Sequence, residues 1–319
     1  MRNRKTFGIS LMILAMAVPA ATQELQQKSW LALETAKDYR ERARFPESSR
    51  ALKAGEKDPV KEKRIPTKQT VRGPEGKGPA LSVWAGAVSF ERSRPIDLFA
   101  TIEEGVALEV SADVVGEAGD LVAHMAYADD GKGADRKAGD GIWSARLRMP
   151  DGLEPELAAS YMVKVTSRLL DGDLRESVGG FLYSNPAAHL TGRYRDEVRD
   201  GNLVILAEVD VARPGRFHLA GTLHTLKGEP VGTAQSASEL EPGRHWIELS
   251  FYGLMFHDRN VAGPFRLGTL AFSTTGGMPN ALNDLIEDAY VTRGWKLRQM
   301  RSTAFNNPHF LEAAARLEQ

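Results

Sequence analysis

The sequence predicts an all-β protein of two tandem Ig-like β-sandwiches, with an N-terminal helical/linker extension and short C-terminal helical segments. Three observations lead there. From Pro79 onward, short runs rich in β-branched and aromatic residues recur with turn signals between them. These runs fall into two series, parted by Ser184-Asn185-Pro186-Ala187-Ala188. The 319 residues contain no cysteine, so stability must come from hydrophobic cores and not from disulfides. A chain of this length is enough for two such domains.

Residues 1–20 read as a signal peptide. Arg2, Arg4 and Lys5 form a positive tip, Phe7 to Val18 an apolar stretch, and Val18-Pro19-Ala20 a cleavage site of small residues. The apolar run is roughly a dozen residues, short of the ~20 that span a bilayer. Thr22, Gln23 and Glu24 follow at once, and no cysteine follows to carry a lipid. A mature chain beginning at or near Ala21 is expected, periplasmic or extracellular, with no membrane span. Removing the leader takes away three positive charges and no acids, so the formal charge moves from -1 to -4 (-1 minus 3). A mildly acidic chain argues against nucleic acid as a partner.

Residues 21–78 read as a helix followed by a basic, flexible linker. Leu25, Trp30, Leu31, Leu33, Ala36 and Tyr39 lie on an imperfect helical stripe, ended by Pro46 and Ser48-Ser49. Between Arg50 and Gly78, eight Lys and Arg residues from Lys53 to Lys77 are interrupted by Gly55, Pro59, Pro66, Gly73 and Pro74. This stretch is either a solvated linker across a domain surface or an electrostatic contact for anionic envelope polymer or lipid.

Residues 79–184 should form the first sandwich, with strands near Ala80–Val88, Ile96–Ile102, Ala107–Val115, Leu121–Ala126, Gly141–Met149, Tyr161–Leu169 and Arg175–Tyr183. Tyr161, Val163 and Val165 share one face of their strand. Seven short strands in about a hundred residues suit an immunoglobulin-like sandwich. Residues 189–300 should form the second, from His189–Tyr194, Asn202–Val211, Gly215–Leu226, Glu229–Glu239, Gly243–Tyr252 and Gly263–Ser273. Asp200-Gly201 and Pro214-Gly215 are turn dipeptides. In the tail, Asn280–Tyr290 and Asn307–Leu317 carry helical spacings. Residues 301–319 are expected as a tail packed on the second sandwich.

The densest chemical signal runs from Asp129 to Gly141, where Asp129, Asp130, Asp135 and Asp140 alternate with four glycines. Calcium takes six to eight oxygens from carboxylates, carbonyls and water on a loop that folds around it. These four aspartates are the candidate ligands. The spacing is not that of an EF-hand, and Lys132, Arg136 and Lys137 bring positive charge a metal does not need. The alternative is a hairpin connection whose Asp side chains accept from nearby amides, with no cofactor.

The loop resembles that of Ig-like modules in secreted bacterial proteins of the choice-of-anchor X type, through Asp129-Asp130-Gly131, Gly133-Ala134-Asp135 and Gly139-Asp140-Gly141 followed by Trp143. Gly192-Arg193-Tyr194, Asp200-Gly201-Asn202-Leu203, Gly263-Pro264-Phe265, Asp288-Ala289-Tyr290-Val291-Thr292 and Arg44-Phe45-Pro46 are similar to the rest of such proteins. The resemblance implies tandem β-sandwich modules of an uncharacterised family. It supplies no catalytic residue.

Other chemistry is thin. His218, His224 and His245 could hold zinc only if the fold converged them; sheet-borne histidines are the commoner case. No Gly-x-Ser-x-Gly or phosphate-binding Gly-x-x-x-x-Gly-Lys occurs. Trp84, Trp143, Trp246 and Trp295 could stack on sugars or serve as core. The expected function is non-enzymatic binding or scaffolding at the bacterial envelope, with an envelope protein or polysaccharide as partner. An envelope polysaccharide or peptide hydrolase and a structural spacer are the alternatives. Convergent buried carboxylates in a cleft would favour the enzyme; an apolar patch or open sheet edge would favour binding.

Overall fold

Runs of β-branched and apolar residues, alternating with polar ones where one face meets water, build four sheets in the computed structural model, which describes residues 20–318. The chain divides into two compact units, 1–46 with 304–319, and 47–303. The expected leader falls outside the described residues except at Ala20. Among the described residues no helix is long and apolar enough to cross a membrane.

The smaller unit pairs α1 (Ala20–Ala43) with the last helix, Pro308–Leu317. Asn307 caps that helix by accepting from the His309 amide. Ala36, Ala43 and Ala314 are buried where small side chains permit close approach, and Tyr39 stacks on Phe310 at 6.0 Å. Arg40 grips Glu318 through two hydrogen bonds of 2.8 and 2.5 Å. From Ala304 on the tail therefore belongs to the unit of the N-terminal helix, while the Arg301 amide donates to the Gly201 carbonyl of the second sandwich at 2.7 Å.

The larger unit opens with residues expected as a flexible linker, and here the structure also differs. β1 (Ser49–Ala51) pairs with the strand 230–240. The short α2 (Pro59–Glu62) is capped by Asp58, which accepts from the amides of Val60 and Lys61 and from the Thr222 hydroxyl at 2.6 Å. β2 (Gln69–Val71) pairs with the strand 80–85. Residues 47–78 form a strap that adds one strand to each sandwich.

The first sandwich contains β3 (Ala80–Ala85), β4 (Ser89–Glu91), β5 (Ile96–Glu103), β6 (Ala107–Val115), β7 (Leu121–Ala126), β8 (Ile142–Leu147), β9 (Ala158–Leu169) and β10 (Leu174–Ser184). One sheet has the order β2-β3-β5-β8 and the facing sheet β4-β10-β9-β6-β7. Leu81, Val83, Ile96 and Leu98 from one meet Val110, Val114, Val163 and Phe181 from the other in one core.

The second contains β11 (Ala188–Arg199), β12 (Asn202–Val211), β13 (Gly215–Thr225), β14 (Pro230–Leu240), β15 (Gly243–Phe251), α3 (Leu254–Asp258), β16 (Phe265–Thr275), β17 (Ala281–Leu282) and β18 (Ile286–Val291). Its sheets run β1-β14-β13-β16-β17, with β18 also on β16, and β11-β12-β15. They pack tightly: a Cβ placed on Gly221 would lie 2.9 Å from both Leu249 and Leu267. Residues 280–290, expected as helical, are the strands β17 and β18. The closing helix α4 is Pro308–Leu317.

Candidate functional site

Asp129, Asp135 and Asp140 do converge. One carboxylate oxygen from each lies within 4.8 Å of the others. Asp130 stays apart and accepts from the Lys132 amide at 3.0 Å. The loop spans the gap between β7 and β8, closed at its base by mutual hydrogen bonds of Ala128 and Ser144.

Backbone amides meet the converged charge. Asp129 accepts from Gly139 at 2.6 Å, Asp140 at 3.3 Å and Gly141 at 3.0 Å. Asp135, nearly buried, accepts from Gly131 at 2.6 Å and Lys137 at 2.9 Å. These two amides hold its carboxyl below the usual carboxylate range, outweighing the burial that pushes it up. Asp140 accepts from Ile142 at 3.0 Å. Among the described residues, Lys132, Arg136 and Lys137 make no ion pair with these aspartates, so amides and not ammonium groups offset the repulsion. Chemically the loop offers three adjacent carboxylates that can face a hard cation while keeping their amide bonds.

The other anticipated side chains are occupied elsewhere. Trp84 has Lys68 4.7 Å over its ring and Phe99 stacked at 5.6 Å. Trp143 packs against the first core. Arg195 covers Trp246 at 4.3 Å and Arg293 covers Trp295 at 4.6 Å. His245 stands on the sheet opposite His218 and His224 and donates from Nε2 to the Glu241 carbonyl at 2.8 Å, so the three histidines do not converge.

Two buried carboxylates were not singled out from the sequence. Glu208 on β12 is 4% exposed. The β11 register jumps from Leu190 opposite Val209 to Tyr194 opposite Ala207. Thr191, Gly192 and Arg193 bulge over Glu208 as a result. Gly192 takes φ +80°, which a side chain would resist. Thr191 Oγ1 donates to Glu208 at 2.8 Å and Arg193 Nε at 2.7 Å, joined by Arg193 Nη2. The Arg193 bonds lead in holding the Glu208 carboxyl below its ordinary value. Asp196, two residues past Tyr194, accepts from Tyr290, Trp295 and Arg293. Tyr194 in turn packs on Tyr290 at 5.6 Å. The Gly192-Arg193-Tyr194 and Asp288–Thr292 motifs thus close on each other as structural clamps.

One end of the first sandwich is apolar and uncovered. Val106, Leu108, Leu170 and Leu174 are each more than half exposed. The Leu170 amide donates to the Val106 carbonyl at 2.9 Å, and Leu174 opens β10 opposite Arg168 just past the β9–β10 turn. Two ion pairs flank them, the exposed Arg168–Glu109 at 2.7 Å and Arg175–Asp173 at 3.2 Å, in which Arg175 is largely buried.

Residues 187–280 match the C-terminal domain of a family described as a domain of unknown function, DUF4785. The match therefore supports an uncharacterised family and does not reach the choice-of-anchor X type. No curated protein matches the chain. Among solved structures, a DUF4785 family protein from Legionella pneumophila subsp. pneumophila str. Philadelphia 1 is 18% identical over 68% of this chain and 59% of that one, with a TM-score of 0.49. The chain thus spans less than two thirds of that protein's length. CopC from Methylosinus trichosporium OB3b is 20% identical over 37% of this chain and 95% of its own, with a TM-score of 0.22. The native E. coli alpha-2-macroglobulin is 11% identical over 68% of this chain and 14% of its own, at 0.34.

Proposed function

We propose that the chain is an exported, non-enzymatic binding or scaffolding protein of the bacterial envelope, built from Ig-like modules. The observation that carries this reading is the exposed aliphatic cluster of Val106, Leu108, Leu170 and Leu174 on a rigid sandwich end. Large apolar side chains gathered at one end of a packed scaffold and left in water mark a contact surface. End loops on a fixed sandwich are where such folds place recognition. The leader's composition and the likeness of the Asp-rich loop to choice-of-anchor X modules support the exported address. The Asp129–Asp140 loop serves as a stiff end loop, and calcium is its alternative occupant.

Capture from envelope extract with the 21–319 chain, beside Leu170→Asp/Leu174→Asp, tests the reading. Wild type should retain a partner that the double variant loses, while both unfold at the same urea concentration. Identical captures would remove the cluster from the binding role.

A further inference from the structure

The edge of β10 that faces away from β9 is only partly paired, and its open part looks into a groove. The ladder between β9 and β10 runs without a register shift from Leu174 to Ser184. On the outer side, the Leu182 amide donates to the Val88 carbonyl at 2.9 Å, and the Ser184 carbonyl accepts from Arg92 at 2.8 Å. In an antiparallel ladder alternate residues point both backbone groups the same way. Val178 and Gly180 therefore aim their N–H and C=O groups outward, as Leu182 and Ser184 do. β4 ends its pairing at Leu182, so among the described residues nothing pairs with Val178 or Gly180 on that side.

A groove of about 340 Å³ lies over this edge, walled by Pro66, Thr67, Gln69 and Val88 and floored by Gly179 and Gly180. Gly180 is required by close approach of β9, since a Cβ there would sit 2.9 Å from the Tyr161 carbonyl oxygen. The same glycine places no side chain of its own over the edge.

We propose that this groove is a strand-addition site for an extended peptide segment of a partner protein, with small aliphatic side chains at alternate positions. Two donors and two acceptors at strand spacing are complementary to an extended backbone. Pro66, Val88 and Val178 in the lining suit small aliphatic side chains, with Thr67 and Gln69 as its polar part. The open edge from Val178 to Gly180 is only about 7 Å long at ~3.3 Å per residue, which suits a linear segment and not a second folded copy. An incoming strand would continue the line of β4 along β10. The proposal deepens the binding reading, yet it does not use the aliphatic cluster at Val106 and Leu170.

The test uses the full chain, labelled with nitrogen-15, and a capped Val-Thr octapeptide. Saturable shift changes and slowed hydrogen exchange are expected at the Val178 and Gly180 amides. A peptide with proline at every second position should bind at least tenfold more weakly. Val178→Pro removes only an outward N–H and should cost at least tenfold in affinity. Thr67→Trp, which fills the groove from an exposed position, should do the same if the proline variant does not fold. Absence of saturable change at Val178 and Gly180, unaltered affinity in Thr67→Trp, or a dimer in sedimentation that Thr67→Trp dissolves would each overturn it. Loss of peptide binding with partner capture intact would refute the groove and leave the aliphatic cluster standing.

Discussion

The Tyr290 hydroxyl donates to the Asp196 carboxylate at 2.5 Å across 94 residues of chain, tying β18 to β11. Trp295 Nε1 and Arg293 bond the same carboxylate, which is 4% exposed. The last strand and the segment after it are thereby fastened to the first strand of the second sandwich. Asp196→Ala would leave a hydroxyl and an indole N–H without their acceptor, and a loss of about 3 kcal/mol is expected in urea unfolding. Tyr290→Phe removes a single donor and should cost about 1–2 kcal/mol. Burial first, and the Asp196 bond second, push the Tyr290 hydroxyl up to about 12. Its ordinary value is about 10. A pKa raised by folding means the stabilisation is complete below pH 10 and is lost as pH rises through 12. Tyr290→Phe should flatten the decline of stability in that window; an unchanged slope would show that folding does not raise the Tyr290 hydroxyl.

The bulge at Thr191–Arg193 makes a different, acid-side prediction. Arg193 and Thr191 both bond the buried Glu208, and they hold its carboxyl below the usual value of about 4.3. A depressed folded pKa gives stability that is present above the unfolded pKa and lost as pH falls through the folded one. Urea midpoints measured between pH 3 and 7 should fall toward the acid end in wild type, and Arg193→Ala should lower the neutral plateau and shrink that fall. Gly192→Ala should cost about 1 kcal/mol or more from its φ alone.

Strands were readable where β-branched and apolar residues run unbroken between turn signals: Asn202–Val211, buried at nearly every position, was placed to the residue. Periodicity failed at Asn280–Tyr290. Ala281, Leu282, Leu285, Ile286 and Ala289 have helical spacing because β17 and β18 are short and β18 pairs with β16 through a register shift. The convergence of Asp129, Asp135 and Asp140 was legible because it is local. Asp196 and Glu208 were not, since their partners are assembled by pairing across the sheet or from the far end of the domain. The strap was misread from its prolines, glycines and lysines, although Asp58-Pro59 is an evident helix start.

That strap now carries its own prediction. Pairing of β1 with β14 and of β2 with β3, with Asp58 bonded to Thr222, should slow proteolysis between residues 49 and 71. Trypsin should cut first near Lys77, an exposed position in the turn region beyond β2. Asp58→Ala removes the cap of α2 and the Thr222 bond together. It should cost about 1–2 kcal/mol and expose Lys57, Lys61 and Lys63 to cleavage. Rapid cutting at these lysines in wild type would mean that the strap is not fastened in solution.

The Asp-rich loop sets the last test, because two sources of compensation compete for the same charge. Amides of Gly131 and Lys137 already bond both oxygens of Asp135, and three amides bond Asp129. Close carboxylates repel and raise one another's pKa unless something offsets the charge. Here the amides prevail at Asp135, whose pKa is lowered. Its contribution to stability should therefore be present above pH 4 and fade as pH falls below it. Asp135→Asn keeps the shape but weakens the amide bonds, so it should lower the melting temperature at pH 7 and leave it nearly unchanged at pH 3. With the amides sufficient, millimolar calcium should leave the melting temperature of wild type where it is. A cation bound only by the folded loop would instead raise it by mass action. A calcium-dependent rise that disappears in Asp135→Asn and Asp140→Asn would establish a metal site at Asp129, Asp135 and Asp140 and overturn the closed-turn account.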